Sequence, residues 1–113
     1  MMKIIALVPD LMFATRIADM AKHLGYQIEM LNRASDADAT ITGVSLAIVA
    51  LDAPDWEHVV AVAKQAGARV LAFGSHKNVE QMQAAKRAGC DQVVARSLMA
   101  AELPNLLRKY FAE

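Results

Sequence analysis

Asp52 stands in the sequence where α/β proteins place their chemistry. It follows an apolar run, residues 46–51, and precedes Ala53 and Pro54. A continuous apolar run of this length is typical of a strand that is buried on both faces of a parallel sheet. In open sheets of this kind, ligands bind beyond the carboxyl ends of the strands. The pattern indicates a carboxylate that accepts a phosphoryl group, or the remnant of one, and the simpler alternative is a turn residue before proline.

Three further polar residues follow other predicted strands, and they are Asp10, Ser75 and Arg96. Because the carboxyl ends of parallel strands meet at one edge of the sheet, we expect all three to converge on Asp52 as a ligand-binding group. Arg96 and the backbone amides after Ser75 could bind a small anion there. Each residue also has a structural interpretation: Asp10 as a helix N-cap, which we prefer, Ser75 as a turn and cap residue, and Arg96 as a solvated residue.

Other residues that bind metals or catalyse reactions form no recognisable motif. Asp10 and Asp52 could hold a metal ion only with the help of water molecules. The histidines fall on three different predicted elements, so no pair has the i, i+4 spacing of a helical metal site. Cys90 has no base beside it in the sequence, and no phosphate loop or dinucleotide fingerprint is present. We therefore predict that the protein is not an enzyme and has no resident cofactor.

Length and composition narrow the possibilities further. With 113 residues, we expect a single domain spanning residues 1–113. Twelve basic and twelve acidic residues give no net charge, which argues against binding to nucleic acid or an anionic membrane. A single cysteine excludes an internal disulfide and suits the cytoplasm. No apolar stretch is long enough to cross a membrane, and Pro9 stops the first one too early for a signal peptide.

Short apolar runs alternate with segments of helical period along the whole sequence. We predict strands at residues 3–8, 27–31, 46–51, 69–73 and 92–95, and helices at residues 11–24, 35–42, 56–66, 78–88 and from 97 onwards. Pro104 should break the last helix near Leu103. Such alternation predicts an α/β fold: a doubly wound, flavodoxin-like (βα)5 parallel sheet of strand order 2-1-3-4-5, in a three-layer sandwich.

Four short motifs occur at the ends of the later strands. Asp52 follows the third strand, Gly74-Ser75 the fourth, Gly89-Cys90-Asp91 leads into the fifth, and Arg96-Ser97 follows it. Their order and spacing resemble the CheY-like receiver domains of bacterial response regulators over nearly the whole sequence. Those domains carry a phosphoacceptor aspartate, a Ser or Thr, a Gly-Ala-Asp lead and a Lys-Pro at these places. The resemblance implies that Asp52 is the counterpart of the phosphoacceptor.

The motifs that support phosphorylation in receivers are altered here. Receivers hold Mg²⁺ with an acidic pair at the end of the first strand, where this sequence has Val8-Pro9, with Asp10 one residue later. Gly74 occupies the position of the switch hydroxyl, and Arg96 replaces the lysine. An arginine favours pairing with a carboxylate, so an ion pair with Asp52 could close a metal-free site. The resemblance therefore implies a degenerate receiver, or pseudo-receiver, that needs Mg²⁺ only if its site functions.

Three functions are compatible with these observations. The first is a stand-alone signalling module that acts by protein–protein interaction without efficient phosphorylation of Asp52. The second is a module that binds a small anionic ligand at the carboxyl edge of the sheet, and the third is a phosphorylatable response regulator with Asp52 as the acceptor. Because the last helix carries many apolar residues, we also predict a homodimer through the fourth helix, fifth strand and last helix, the face that receivers commonly use.

Overall fold

The five strands form one parallel sheet, as the alternating pattern predicts. A computed structural model describes residues 2–111. Within this range the strands are β1 Lys3–Leu7, β2 Gln27–Met30, β3 Leu46–Ala50, β4 Arg69–Gly74 and β5 Gln92–Ala95. Their order is β2-β1-β3-β4-β5, and every neighbouring pair is parallel. The predicted strand order and fold class are confirmed.

Helices cover both faces of this sheet. They are α1 Leu11–His23, α2 Ala37–Thr40, α3 Trp56–Gln65, α4 Val79–Arg87, α5 Arg96–Ala101 and α6 Leu103–Phe111, with a 3₁₀ turn at Ala34–Asp36 before α2. Side chains alternate between the two faces of a strand, so each central strand contributes side chains to the hydrophobic core on both sides of the sheet. Ile48 and Phe73 pack with α1, α5 and α6, whereas Val49 and Ala72 pack with α2, α3 and α4. The result is the predicted three-layer sandwich.

The last helical segment breaks where Pro104 predicts. Helix α5 ends at Ala101, and α6 begins at Leu103. Proline has no amide hydrogen to donate and its ring crowds the preceding turn, which explains a break at this place. Most of the apolar side chains of the segment are buried, among them Met99, Leu103, Leu106 and Phe111, and Leu98 remains 45% exposed. Intramolecular packing thus uses most of the apolar surface that the sequence offered for dimerisation.

Several boundaries differ from the predicted ones, most of them by one residue. Residues 35–42, predicted as one helix, form the 3₁₀ turn and the short α2, because a carboxylate oxygen of Asp36 accepts the amides of Asn32 and Arg33 and tightens the chain there. Strand β3 ends at Ala50 and not at residue 51. Between residues 2 and 111, no helix has the length and apolar character needed to cross a membrane.

Candidate functional site

Arg96 and Asp10 form an ion pair at the carboxyl edge of the sheet. Arg96 is the first residue of α5, directly after β5, and Asp10 precedes α1, three residues after β1 ends. The guanidinium Nη2 of Arg96 donates to Oδ2 of Asp10 at 2.5 Å. The two side chains are 42% and 44% exposed, so the pair lies at the surface. It joins the last β/α junction of the fold to the first.

Both oxygens of Asp10 have donors. Its Oδ1 accepts the backbone amides of Met12 and Phe13, at 3.0 and 3.1 Å, which confirms Asp10 as the N-cap of α1. These amides have no acceptor within the helix, so the carboxylate satisfies them. The hydrogen bond from Phe13 is the largest influence on the pKa of Asp10. Together with the charge of Arg96 it outweighs desolvation and lowers that pKa below its ordinary value of 3.8.

Two aromatic rings lie close to the Arg96 guanidinium. Its carbon Cζ lies 4.6 Å from the ring centroid of Phe13 and 6.0 Å from that of Phe73. The rings themselves meet edge to face, with centroids 5.1 Å apart. A guanidinium over an aromatic face gains cation–π attraction, more so than a lysine ammonium in the same place. Arg96 is therefore fixed by a carboxylate and by two side chains of the core.

Asp52 is not part of this ion pair. It is exposed and lies in a turn in which the amide of Ala53 bonds to the carbonyl of Ala50. The predicted ion pair between Arg96 and Asp52 is wrong: Arg96 pairs with Asp10. The sequence placed Asp52 at the end of β3, but the last residue of that strand is Ala50, whose side chain is buried in the core.

A cavity of about 460 Å³ brings three of the four predicted site residues together. Asp52, Ser75 and Arg96 line it, along with side chains that the sequence analysis did not select: Phe73, His76, Asn78, Gln81 and Ser97. Asp10 is not among the lining residues. Gln81 connects α4 to the residue after β3, because its Nε2 donates to the carbonyl of Leu51 at 2.6 Å. The sequence gives only one sign that Gln81 belongs to this cavity: it is a polar residue on the first turn of a helix that follows a predicted strand.

Two of the backbone amides after Ser75, those of Lys77 and Asn78, already have acceptors. Ser75 Oγ accepts the amide of Lys77, and the Ser75 carbonyl accepts the amide of Asn78. Asn78 caps α4 by accepting the amide of Gln81. The interpretation of Ser75 as a turn residue therefore fits the geometry, with Asn78 as the cap. The amides of Lys77 and Asn78 are therefore not free to bind the predicted anion.

A second cavity, of about 660 Å³, lies between β1 and β3, where the strand order reverses. We call it the switch-point cavity, and it is lined by Leu7, Val8, Pro9, Leu11, Leu31, Asn32, Arg33, Ala34, Ser35, Ala53, Pro54, Asp55, Glu57 and His58. Val8 and Pro9 line it from the end of β1, and Ala53 and Pro54 line it from the turn after β3. Neither Asp10 nor Asp52 lines it, so it is separate from the cavity that contains Asp52 and Arg96.

The carboxylates do not fit a Mg²⁺ centre. A Mg²⁺ ion requires several oxygen ligands in near-octahedral geometry. Both oxygens of Asp10 are engaged, and one of them pairs with a cation. Within residues 2–111, no group of three or more His, Cys, Asp or Glu side chains is arranged to hold a metal ion. A metal at this edge would require Asp10 to release Arg96 and the cap of α1.

Comparison with solved structures identifies the fold. The chain superposes on the receiver domain of the response regulator TorR with a TM-score of 0.86 at 13% identity, over 98% of this chain and 97% of that one. The BeF3-activated DrrB receiver domain matches with a TM-score of 0.84 at 14% identity and complete coverage of both chains. A CheY-like receiver from Methanospirillum hungatei JF-1 matches with a TM-score of 0.81 at 16% identity, over 96% and 92%. The chain has the receiver-domain fold.

At the sequence level, no family model and no curated protein matches the chain. Ala50 closes β3, Gly74 closes β4, and Arg96 follows β5. A Cβ added to Gly74 would lie 3.2 Å from both Cβ and Cδ1 of Leu51, so a side chain at this receiver position would press against the core.

Asp91 retains a clear structural role in this receiver fold. Its Oδ2 accepts the amide of Val70 at 2.7 Å and the Nζ of Lys64 at 2.9 Å. Desolvation raises the pKa of Asp91, but the hydrogen bonds from Lys64 and Val70 and the charges of Lys64 and Arg69 lower it by more, and the net shift is downward. Asp91 thereby ties the loop before β5 to β4 and α3. These bonds explain why an aspartate is useful at the end of the Gly89-Cys90-Asp91 segment.

Proposed function

We propose that the protein is a receiver-like signalling module that acts by protein–protein contact, without efficient phosphorylation of Asp52. The observation that supports this proposal most directly is the ion pair between Arg96 and Asp10. It places a fixed cation and a fully engaged carboxylate at the edge where a phosphorylated receiver needs a metal-binding acidic group. Ala50 at the end of β3 and the exposed position of Asp52 support it as well.

In this proposal the ion pair replaces a phosphorylation-dependent contact. The guanidinium of Arg96 is held by Asp10 and by the rings of Phe13 and Phe73. An arginine is always charged, so its pairing does not depend on a signal that changes its own ionisation. The module would thus present one surface constantly, and regulation would come from its abundance or from its partner.

Phosphorylation chemistry tests the proposal. We expect no phosphorylated species by mass spectrometry after incubation with acetyl phosphate and Mg²⁺, and no change in the NMR spectrum with beryllofluoride. Asp52→Asn is the matched control, and it should behave as the natural protein does. Stoichiometric modification that is lost in Asp52→Asn would contradict the proposal and support the alternative of a phosphorylatable response regulator.

The binding of a small anion is the second candidate, because Arg96, Ser75, His76 and Ser97 line one cavity. Any such anion would rely mainly on these side chains, since the amides of Lys77 and Asn78 are already bonded. Asp52 lines the same cavity and would repel the ligand. Inorganic phosphate should raise the melting temperature if this candidate is correct, and more so in Asp52→Asn; an unchanged melting temperature in both proteins argues against it.

Contact with protein partners, including a second copy of the chain, is proposed through α4, β5 and α5. Val79 at the start of α4 and Leu98 in α5 are 57% and 45% exposed, so both can offer apolar contact to a partner. Met99 and the apolar residues of α6 belong to the core. The face that remains is small, so we propose weak association.

A further inference from the structure

The switch-point cavity has the size and position of a ligand site. Its volume of about 660 Å³ falls within the range of small-molecule sites, roughly 300–1,000 Å³. It lies at the carboxyl ends of β1 and β3, where the strand order reverses, which is the place where open α/β sheets bind ligands. The proposed signalling function uses the other side of this edge and leaves the cavity without a role.

The walls of the cavity are held in place without a ligand. One wall is residues 31–35, fixed by the hydrogen bonds from the amides of Asn32 and Arg33 to Asp36, each 3.1 Å. The opposite wall is the start of α3, where His58 bonds to Asp38 of α2 at 2.6 Å. A binding site with preformed walls loses less conformational entropy when it is filled.

The inner surface of the cavity is largely apolar. Leu7, Val8 and Leu31 contribute from buried positions, and Ala53 lies beside them. Leu11 lines the cavity too, although it is 81% exposed and is the first residue of α1. An apolar ligand that covers Leu11 would remove apolar surface from water, and the core would not have to rearrange.

The charge at the rim selects the class of ligand. Asp55 and Glu57 line the α3 side, and neither carboxylate has an ion-pair partner within residues 2–111. The basic side chains at the rim are already engaged: Arg33 lies 3.7 Å from Asp36, and His58 is bonded to Asp38. The charge that remains uncompensated is negative. A cationic group on an apolar body matches this combination.

We propose that the switch-point cavity binds a small organic amine with an apolar body. The apolar part lies against Leu7, Val8, Leu11 and Leu31, and the ammonium pairs with Asp55 or Glu57. Neither carboxylate is needed for the fold: both are exposed, and Asp55 makes no side-chain cap to α3. The proposal does not depend on whether Asp52 is phosphorylated.

The test uses probes that differ in one property at a time. The amine probes are 3-phenylpropylamine, tryptamine and cyclohexylmethylamine, at millimolar concentration. 3-Phenylpropionate reverses the charge of the first, 3-phenylpropanol removes it, and propylamine removes the apolar body. We expect the amine probes to shift the amide NMR signals of residues 31–35 and 53–58, and each of the three matched probes to bind at least about tenfold more weakly than its parent.

Variants assign the contacts. Asp55→Asn and Glu57→Gln should each weaken the binding of the amines several-fold without changing the melting temperature, and Asn tolerates the left-handed backbone of residue 55. Leu11→Ser should weaken binding through the apolar contact. Asp52→Asn is the matched control, because Asp52 lies three residues from Asp55 but lines the other cavity.

The possible outcomes either support or overturn the proposal. Amine-selective shifts at the cavity that are lost in Glu57→Gln and kept in Asp52→Asn support it. Equal binding of 3-phenylpropionate, shifts confined to other residues, an equal loss in Asp52→Asn, or no shift with any amine overturns it. None of these results changes the phosphorylation experiment, so the two proposals fail separately.

Discussion

The carboxylate of Asp10 holds Arg96 with one oxygen while the other oxygen caps α1. The two residues are 86 positions apart in the sequence, and their contact brings the first and last β/α junctions together. A single carboxylate thus completes a helix end and fixes the guanidinium of Arg96. This edge of the sheet is an organised structure with its own donors and acceptors.

We predict that the two roles of Asp10 can be separated by substitution. Asp10→Asn should keep the helix cap, because Asn and Asp cap about equally well, and lose most of the pairing with Arg96. Asp10→Ala should lose both. Thermal unfolding should therefore rank the melting temperatures as natural protein, then Asn, then Ala. Equal melting temperatures for Asn and Ala would show that the cap does not stabilise the protein.

Asp91 should make stability depend on pH. Its folded pKa lies below the ordinary value of 3.8, so its contribution is complete above pH 3.8 and is lost as the pH falls through the folded pKa. At pH 7, Asp91→Ala should lower the free energy of unfolding by about 1–3 kcal/mol, because the amide of Val70 loses its acceptor. Urea unfolding at several pH values measures both effects, with Asp19→Ala, an exposed acid on α1, as the control.

Cys90 should be a slow nucleophile in the folded protein. Desolvation, followed by the charge of Asp91, raises its pKa from 9.0 to about 11. At pH 8 the thiolate fraction is then about 100-fold lower than in the unfolded chain, and the rate with a disulfide reagent should fall in proportion. Because the sequence has one cysteine, the same protein in guanidinium serves as the reference. Similar rates in both states would contradict the raised pKa.

Restoring a switch hydroxyl at position 74 should cost stability. Gly74→Thr places a branched side chain against Leu51, and we expect a loss of about 1–3 kcal/mol from overpacking. Gly74→Ala should cost less, because only the Cβ contact at 3.2 Å has to relax and alanine is better than glycine in a strand. Denaturant unfolding of both variants provides the comparison. A Thr variant as stable as the Ala variant would show that the side chain at position 74 does not press against Leu51.

Association should depend on Leu98. We expect the natural protein to form a dimer at high concentration in sedimentation experiments and Leu98→Lys to remain monomeric, since the lysine removes apolar contact and adds like charges across the interface. Met12→Lys, at an 83% exposed apolar residue of α1, is the matched control and should leave association unchanged. A monomer at all concentrations would refute the predicted homodimer.

The sequence predicts the fold well because its signals are local or periodic. Continuous apolar runs identify strands buried on both faces, as in β3 with its five buried residues. Pro104 marks the break between α5 and α6, and Asp10 marks the start of α1. Each of these features depends on the covalent structure of one residue and its near neighbours, so one sequence is enough.

The site is predicted less well, because its contacts depend on the path of the turns. Asp10 and Asp52 both follow strands, and the sequence analysis paired Arg96 with Asp52. The turn after Ala50 carries Asp52 to the cavity with Ser75, whereas the cap of α1 holds Asp10 within reach of Arg96. The rings of Phe13 and Phe73 also hold the Arg96 guanidinium, and their edge-to-face contact arises only once the sheet has assembled.

The long sequence separation of Asp10 and Arg96 also has a consequence for folding. Closing a longer loop costs more chain entropy, so contacts between distant residues tend to form after nearer ones have reduced that cost. The pairing of β3 with β4 joins residues about 23 positions apart, whereas the Arg96 contact spans 86. The ion pair should therefore form late in refolding and open early in unfolding, and the amides of Met12 and Phe13 that Asp10 caps should exchange with solvent before those of the central strands.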